Sequence, residues 1–300
     1  MPAPHSAVTD AYTRLTQAYP YLTITELPPG TPPPTGDDWV TAAALATDAP
    51  ALDRFLAWDD EQTQRDYDHR ARPDVIASFG LHRYIWPACL LFTVPWFLHR
   101  RVPRYPVTHV SYDRTAGRMA LHPTTTPTPF ACLPDDPAAK LPGARVVPDE
   151  EALRAEVRTA IAEHLEPLLA AFGPRTRRRG RALWGMVTDD VVEGLWYIAQ
   201  QLGEGEEDRA TRELEALLPG TARTKPYVGT PPFRARRTPD GRAETTRDRV
   251  SCCMFYTVAP EDTCDTCPRT CARPTQRTQA PTLAPAPTPT PTPTPSPTPA

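Results

Sequence analysis

The sequence has no G-x-G-x-x-G run and no G-x-x-x-x-G-K-[ST] run, so flavin, nicotinamide or nucleotide binding through phosphate-cradling loops is not indicated. Its seven histidines form no H-E-x-x-H or H-x-H cluster, and His99, His109 and His122 are too scattered to argue for a metal site of their own. An excess of one charge is also missing. A net −3 over 300 residues favours neither nucleic acid nor an anionic membrane as the main partner. The start, Met1-Pro2-Ala3-Pro4-His5-Ser6, lacks the basic residues and apolar run of a secretory signal, so export by that route is not expected. No apolar run reaches the roughly 20 residues of a membrane-crossing helix. The most apolar one, Ile85 to Leu98, contains Pro87 and Pro95. It reads as a buried helix with Trp86, Phe92, Trp96 and Phe97 in a core, and peripheral contact with the inner membrane is the lesser reading.

What the chain has in excess is proline, 40 of 300 residues, which implies many loops and helix boundaries. Apolar positions at Val8, Ala11, Tyr12, Leu15 and Tyr19 fit a helix from Ala7 to Tyr19 stopped by Pro20. The proline-rich stretch from Pro20 to Asp37 reads as a loop. Short helices are expected around Trp39–Ala46 and Ala51–Trp58, and another starts after Pro73, which suits a first helical turn, and continues toward the apolar stretch Ile85–Leu98. Between Val107 and His122, VTHVSYD, RTAG and RMALHP read as two short strands around a glycine turn. Asp149 can cap a helix carrying Leu153, Val157, Ile161, Leu165, Leu168 and Phe172, kinked at Pro167 and stopped at Gly173-Pro174. A second helix runs from about Ala182 to Leu202 with Gly203 as its cap, and a third from Glu206 to Leu218. In the Arg-, Thr- and Pro-rich stretch 221–250, Thr238-Pro239-Asp240-Gly241 is a turn signal between two short strands.

These patterns predict a mainly helical α+β fold with a small antiparallel β-hairpin and a C-terminal cysteine segment. The expected organisation is a helical and hairpin region over 1–145 and a helical region with the cysteines over 146–272. A Pro/Thr tail over 273–300 is too poor in apolar residues to fold.

Seven cysteines without an export signal argue against a disulfide framework. Cys89 and Cys132 stand alone in apolar or prolyl surroundings, the usual setting of an unreactive buried thiol. The other five fall between 252 and 271. Cys252, Cys253, Cys264 and Cys267 form C-C-x10-C-x2-C, and Cys271 lies four positions on. In a CxxC turn two thiolates converge while backbone N–H groups point at the sulfurs. Four sulfurs suit either tetrahedral zinc or a [2Fe-2S] rhomb. Adjacent cysteines make a poor zinc knuckle, whereas a rhomb receives sulfurs from several directions. Spacing alone leaves iron-sulfur, zinc and redox-active thiols open.

The run RVSCCMFYTVAPEDTCDTCP, residues 249–268, resembles the C-terminal motif of FhuF-like ferric siderophore reductases. A looser similarity extends to ALWGMVTDDVVEGL and VIASFGLHRYIWPACLLF upstream. The resemblance implies a [2Fe-2S] cluster on Cys252, Cys253, Cys264 and Cys267. It leaves Cys271 and the tail outside the pattern, with Cys271 as a spare thiol or a substitute for Cys267. It also implies cytoplasmic one-electron reduction of a ferric siderophore, with electrons from an external donor such as a ferredoxin. The alternative is a siderophore-binding or scaffold protein with a structural zinc at the same cysteines.

Such a cluster is dianionic when oxidised and trianionic after one electron, so Arg249 and Arg269 are candidate tuners of its potential. Phe255, Tyr256, Trp184, Trp196 and Tyr197 could line a pocket, although at helical spacing such residues are commonly core. The run Arg175, Arg177, Arg178, Arg179 and Arg181 could attract an acidic ferredoxin or an anionic chelate, or could be a solvated loop.

Overall fold

The computed structural model describes residues 6–271 apart from 37, 125–126, 221–223, 239, 262–263 and 265. The expected tail at 273–300, and Pro239 of the expected turn, lie outside the described residues. The first half contains α1 (Thr9–Ala18), β1 (Thr23–Glu26), β2 (Trp39–Thr41), α2 (Ala42–Thr47), α3 (Ala49–Tyr67), α4 (Pro73–His99), β3 (Arg101–Pro103), β4 (Val110–Asp113), β5 (Arg118–Leu121), β6 (Phe130–Cys132) and β7 (Ala144–Val146). The second contains α5 (Glu150–Thr176), α6 (Gly180–Leu202), α7 (Glu206–Leu217), β8 (Arg234–Arg237), β9 (Ala243–Thr246) and the short α8 (Pro268–Cys271). The fold is a mainly helical α+β one, as the patterning predicts.

Helix α4 is the hub, packed against α5 and α6 and flanked by α1 and α3. Nineteen of its residues are buried, as expected for a core helix that starts at Pro73 and runs into the apolar stretch, and it is continuous over 27 residues, through Pro87 and Pro95. A proline has no N–H to give the carbonyl four residues earlier. The carbonyl deprived by Pro95 belongs to Leu91, and the Tyr12 hydroxyl donates to it at 2.9 Å. The one deprived by Pro87 belongs to Arg83, where the Tyr112 hydroxyl sits at 3.5 Å. Tertiary partners thus supply donors that the helix cannot, and the helix continues across both prolines. By length and composition α4 could cross a membrane, but 78% of that apolar window is buried inside the protein, as in a core helix.

The strongest β element is the expected hairpin. Strands β4 and β5 pair antiparallel with Val110 opposite Leu121 and Asp113 opposite Arg118. Gly117 turns it at φ +62°, and a Cβ there would lie 2.0 Å from the Tyr21 carbonyl oxygen, so the turn needs glycine. The hairpin belongs to a larger sheet ordered β1-β5-β4-β2. Strand β1, parallel to β5, lies in the stretch expected to be loop. Trp39–Thr41, expected helical, forms β2 before Thr41 caps α2 by accepting from the Ala44 N–H at 3.0 Å. A second sheet, β3-β6-β7, consists of three-residue strands with no periodic signal to reveal them. Strands β8 and β9 pair antiparallel around the expected turn.

Helix α5 starts at the expected cap, with Asp149 Oδ1 accepting from the Ala152 N–H at 2.8 Å, but continues through Gly173-Pro174 to Thr176. Its His164 is fully buried between α4 and the β3–β4 connection. Its Nε2 faces the Tyr84 hydroxyl at 2.9 Å and its Nδ1 the Tyr105 carbonyl at 2.8 Å. Burial pulls His164 down to about 4, so it is a neutral hydrogen-bonding pin. One apolar core runs from Val8 to Tyr227. Cys89 and Cys132 are buried in the interior, where burial pushes both thiols up, consistent with unreactive packing residues.

Candidate metal centre

The cysteine segment is anchored by one carboxylate on α6. Asp189, 1% exposed, accepts at Oδ1 from Arg247 Nη2 at 2.8 Å and from the Val250 N–H at 3.1 Å. Its Oδ2 accepts from the Ser251 N–H at 2.8 Å and the Ser251 hydroxyl at 2.6 Å. The chain entering Cys252 is therefore held by both edges of a single buried carboxylate. The two sides approach closely because α6 presents Gly185 there. A Cβ on Gly185 would stand 3.4 Å from Ser251 Cβ, an ordinary contact distance, so alanine would fit there while a longer side chain would meet the segment.

One turn farther along α6, Glu193 receives Arg249 Nη2 at 2.6 Å and Arg247 Nη2 at 3.1 Å. Asp190, also buried, faces His82 Nδ1 of α4 at 2.5 Å. Burial alone would lower His82, but the charge and hydrogen bond of Asp190 outweigh it and hold the imidazole above its ordinary value. Burial raises Asp190 and Glu193, with His82 and the arginines respectively opposing it. Three acids on α6 thus meet Arg247, Arg249 and His82 beneath the cysteines. A buried set of charges is tolerable only when each finds a partner.

Above this base, the Cys267 N–H donates to the Cys264 carbonyl at 3.0 Å, forming the CxxC turn, and the Arg249 N–H donates to the Thr266 carbonyl at 3.2 Å. The second bond ties the two ends of the segment together and brings both cysteine pairs to one place. Met254 takes a left-handed conformation at φ 69°, which turns its N–H toward Cys252 Sγ at 3.4 Å. Cys253 accepts a hydrogen bond from the Cys264 thiol and another from the Phe255 N–H. With Arg249 and His82 nearby, these bring Cys253 down to about 5, while Cys264, as the donor, is pushed up. Burial is the main influence raising Cys252. Cys252, Cys253 and Cys264 are partly exposed, and Cys267 is buried. Phe255 packs edge-on to Tyr67 and tilted against Phe79, which fastens the ten-residue loop to α3 and α4.

The donor set fits an iron-sulfur cluster: four neighbouring sulfurs, backbone N–H groups aimed at two of them, and cations around the rim. Arg249 lies beside Cys253 and Cys264, Arg269 beside Cys252, and Arg178 beside Cys252 and Cys253. Arg269 is also seated over the Tyr256 ring, 4.3 Å from its centroid. Among the described residues, no three Cys, His, Asp or Glu side chains close on a single ion. A two-iron rhomb does not require such a cage. The side chain of Cys271 and residues Asp262 and Asp265 lie outside the described residues.

Of the aromatic candidates, Trp184 packs on Tyr227 and Trp196 on Phe233, so both belong to the periphery of the core. Tyr197 is 43% exposed and joins Tyr19 and Trp86 in a separate aromatic cluster. In the arginine run, Arg175 pairs with Asp53 at 2.6 Å, and Arg178 Nη2 donates to the Cys252 carbonyl. Sequence reasoning does not single out Asp189, Asp190, Glu193, Arg247 or His82. The available signal is the TDDVVEG run, where three acids interrupt an apolar helix.

Residues 249–269 match the family model described as the FhuF 2Fe-2S C-terminal domain. No curated protein matches the chain. The match bears out the resemblance of this segment and supports a [2Fe-2S] cluster as its cofactor, in place of zinc.

Proposed function

With a [2Fe-2S] domain at residues 249–269 as the premise, we propose that this protein is a ferric siderophore reductase whose cluster is held by Cys252, Cys253, Cys264 and Cys267. The observation that carries the reading is a four-sulfur segment near the protein surface, three of its cysteines partly exposed, within a FhuF-type domain. When bound, a cluster of this kind supplies single electrons without the protein breaking any covalent bond. Arg178, Arg249 and Arg269 supply positive charge beside the sulfurs, which favours the more negative reduced state. The Met254 and Phe255 N–H groups hold negative charge on Cys252 and Cys253. Asp189 fixes the approach to Cys252 so that these donors stay aimed.

The substrate's own chemistry completes the cycle. Hard oxygen donors hold Fe(III) far more tightly than Fe(II), so a siderophore that accepts one electron releases its iron. The electron comes from a separate donor such as a ferredoxin, and the reaction belongs in the reducing cytoplasm.

The test is an anaerobic single turnover. Chemically reduced, cluster-loaded protein is mixed, in separate runs, with a ferric hydroxamate and with an anionic ferric carboxylate chelate, in the presence of a chromogenic ferrous chelator. The reading predicts about one Fe(II) per chain, appearing as the reduced-cluster EPR signal disappears. A reduced signal that persists beside an unchanged ferric complex would count against it.

A further inference from the structure

We propose that the groove at the α5–α6 corner is the chelate-binding site and that it selects anionic ferric chelates over neutral ones. This inference rests on the reductase reading and assigns that reaction a substrate class. The groove has a volume of about 530 Å³, within the usual range for small-molecule sites. Leu183 and Trp184 give it an apolar wall, and Arg177, Arg178 and Arg179 line it with a single opposing carboxylate, Glu166. Among the described residues, neither Arg177 nor Arg179 forms an ion pair, whereas neighbouring Arg175 is neutralised by Asp53. Two guanidinium groups are thus left to a ligand.

Two further observations point the same way. Arg178 lines the groove and also donates to the Cys252 carbonyl, so one side chain joins the groove to the cluster segment. Helix α6 begins here with no capping side chain on Arg179, leaving its first N–H groups and the positive end of its dipole toward an anion. A ferric tricatecholate is a trianion and a simple trihydroxamate is neutral. The groove therefore favours the former, and carboxylate-rich chelates by the same chemistry.

The test uses oxidised, cluster-loaded protein and gallium(III) complexes, which keep the shape and charge of the ferric ones but cannot be reduced. Equilibrium dialysis should show the gallium tricatecholate binding at least roughly tenfold tighter than the neutral trihydroxamate, with the preference shrinking as salt rises. Arg177→Gly and Arg179→Gln should each weaken the trianion roughly fivefold, leave the neutral complex unchanged and retain the cluster spectrum. Arg177 has a left-handed backbone at φ 54° where glycine is at ease, so that variant should fold. Glu166→Gln should strengthen the trianion. Equal binding of the two complexes, or variants without effect, overturns the proposal. So does a result in which the arginine variants slow electron uptake from an acidic ferredoxin while chelate binding stays the same. Charge-selective gallium binding without reduction of the iron complex would instead sink the reductase reading and leave the groove a binding site.

Discussion

Replacing Asp189 with alanine should cost about 3–5 kcal/mol, the usual penalty for removing one partner of a buried ion pair. The change strands several buried groups at once. Arg247, 1% exposed, loses its 2.8 Å carboxylate partner and keeps Glu193 at 3.1 Å and the Asp248 carbonyl at 3.1 Å, and the Val250 and Ser251 N–H groups lose their acceptor. Asp189→Asn keeps one acceptor edge but places an amide N–H₂ against donors, for about 2–3 kcal/mol. Against a total stability of about 5–15 kcal/mol, alanine removes a large part of the margin and frees the approach to Cys252. Urea unfolding of the cluster-free protein followed by circular dichroism measures the first effect, and iron content after reconstitution measures the second. Glu61→Ala serves as the control, because the Arg65–Glu61 pair is 4.0 Å apart with both side chains well exposed, and should cost under about 0.5 kcal/mol. If Asp189→Ala unfolds at the control's midpoint and loads iron normally, the anchoring role is refuted.

Tyr12→Phe should destabilise by about 1–2 kcal/mol in the same urea assay, because it leaves the buried Leu91 carbonyl beside Pro95 without a donor. Arg249→Gln should lower the reduction potential by on the order of 50 mV in a spectroelectrochemical titration, since a cation beside Cys253 and Cys264 favours the more negative state. The burial that lowers His164 to about 4 from 6.5 has a defined sign: the unfolded chain takes up a proton that the fold refuses. Stability is therefore complete above about pH 6.5 and declines as the pH falls toward about 4, by up to about 3 kcal/mol from this residue. Its imidazole resonances should still report the neutral ring at pH 5, and a midpoint near 6.5 would contradict the assignment.

The long amphipathic helices were legible because their apolar spacing is local information: Leu153 through Phe172 mark α5, and Asp149 marks its start. The strand Thr23–Glu26 was hidden by its proline-rich surroundings, and its partner β5 lies far along the chain. Helix α4 was legible as a buried helix despite its prolines, but the two tyrosine hydroxyls that compensate them come from other elements and left no local signal. Gly173-Pro174 failed as a stop: α5 runs on to Thr176, with only three residues before α6 begins at Gly180. At the metal centre the four cysteines and their flanking arginines were visible as a motif. The acids beneath them were not, since an aspartate on an apolar helix gains meaning only when Arg247, Val250 and Ser251 return to it.

The most direct test of the account is the iron and acid-labile sulfide content of anaerobically purified protein, with visible and EPR spectra, for the wild type and for serine variants of each cysteine. The account predicts two irons and two sulfides per chain, retained in Cys89→Ser and Cys132→Ser and lost when Cys252, Cys253, Cys264 or Cys267 is changed. A colourless zinc-bearing wild type, or a cluster that survives Cys267→Ser but not Cys271→Ser, would contradict it.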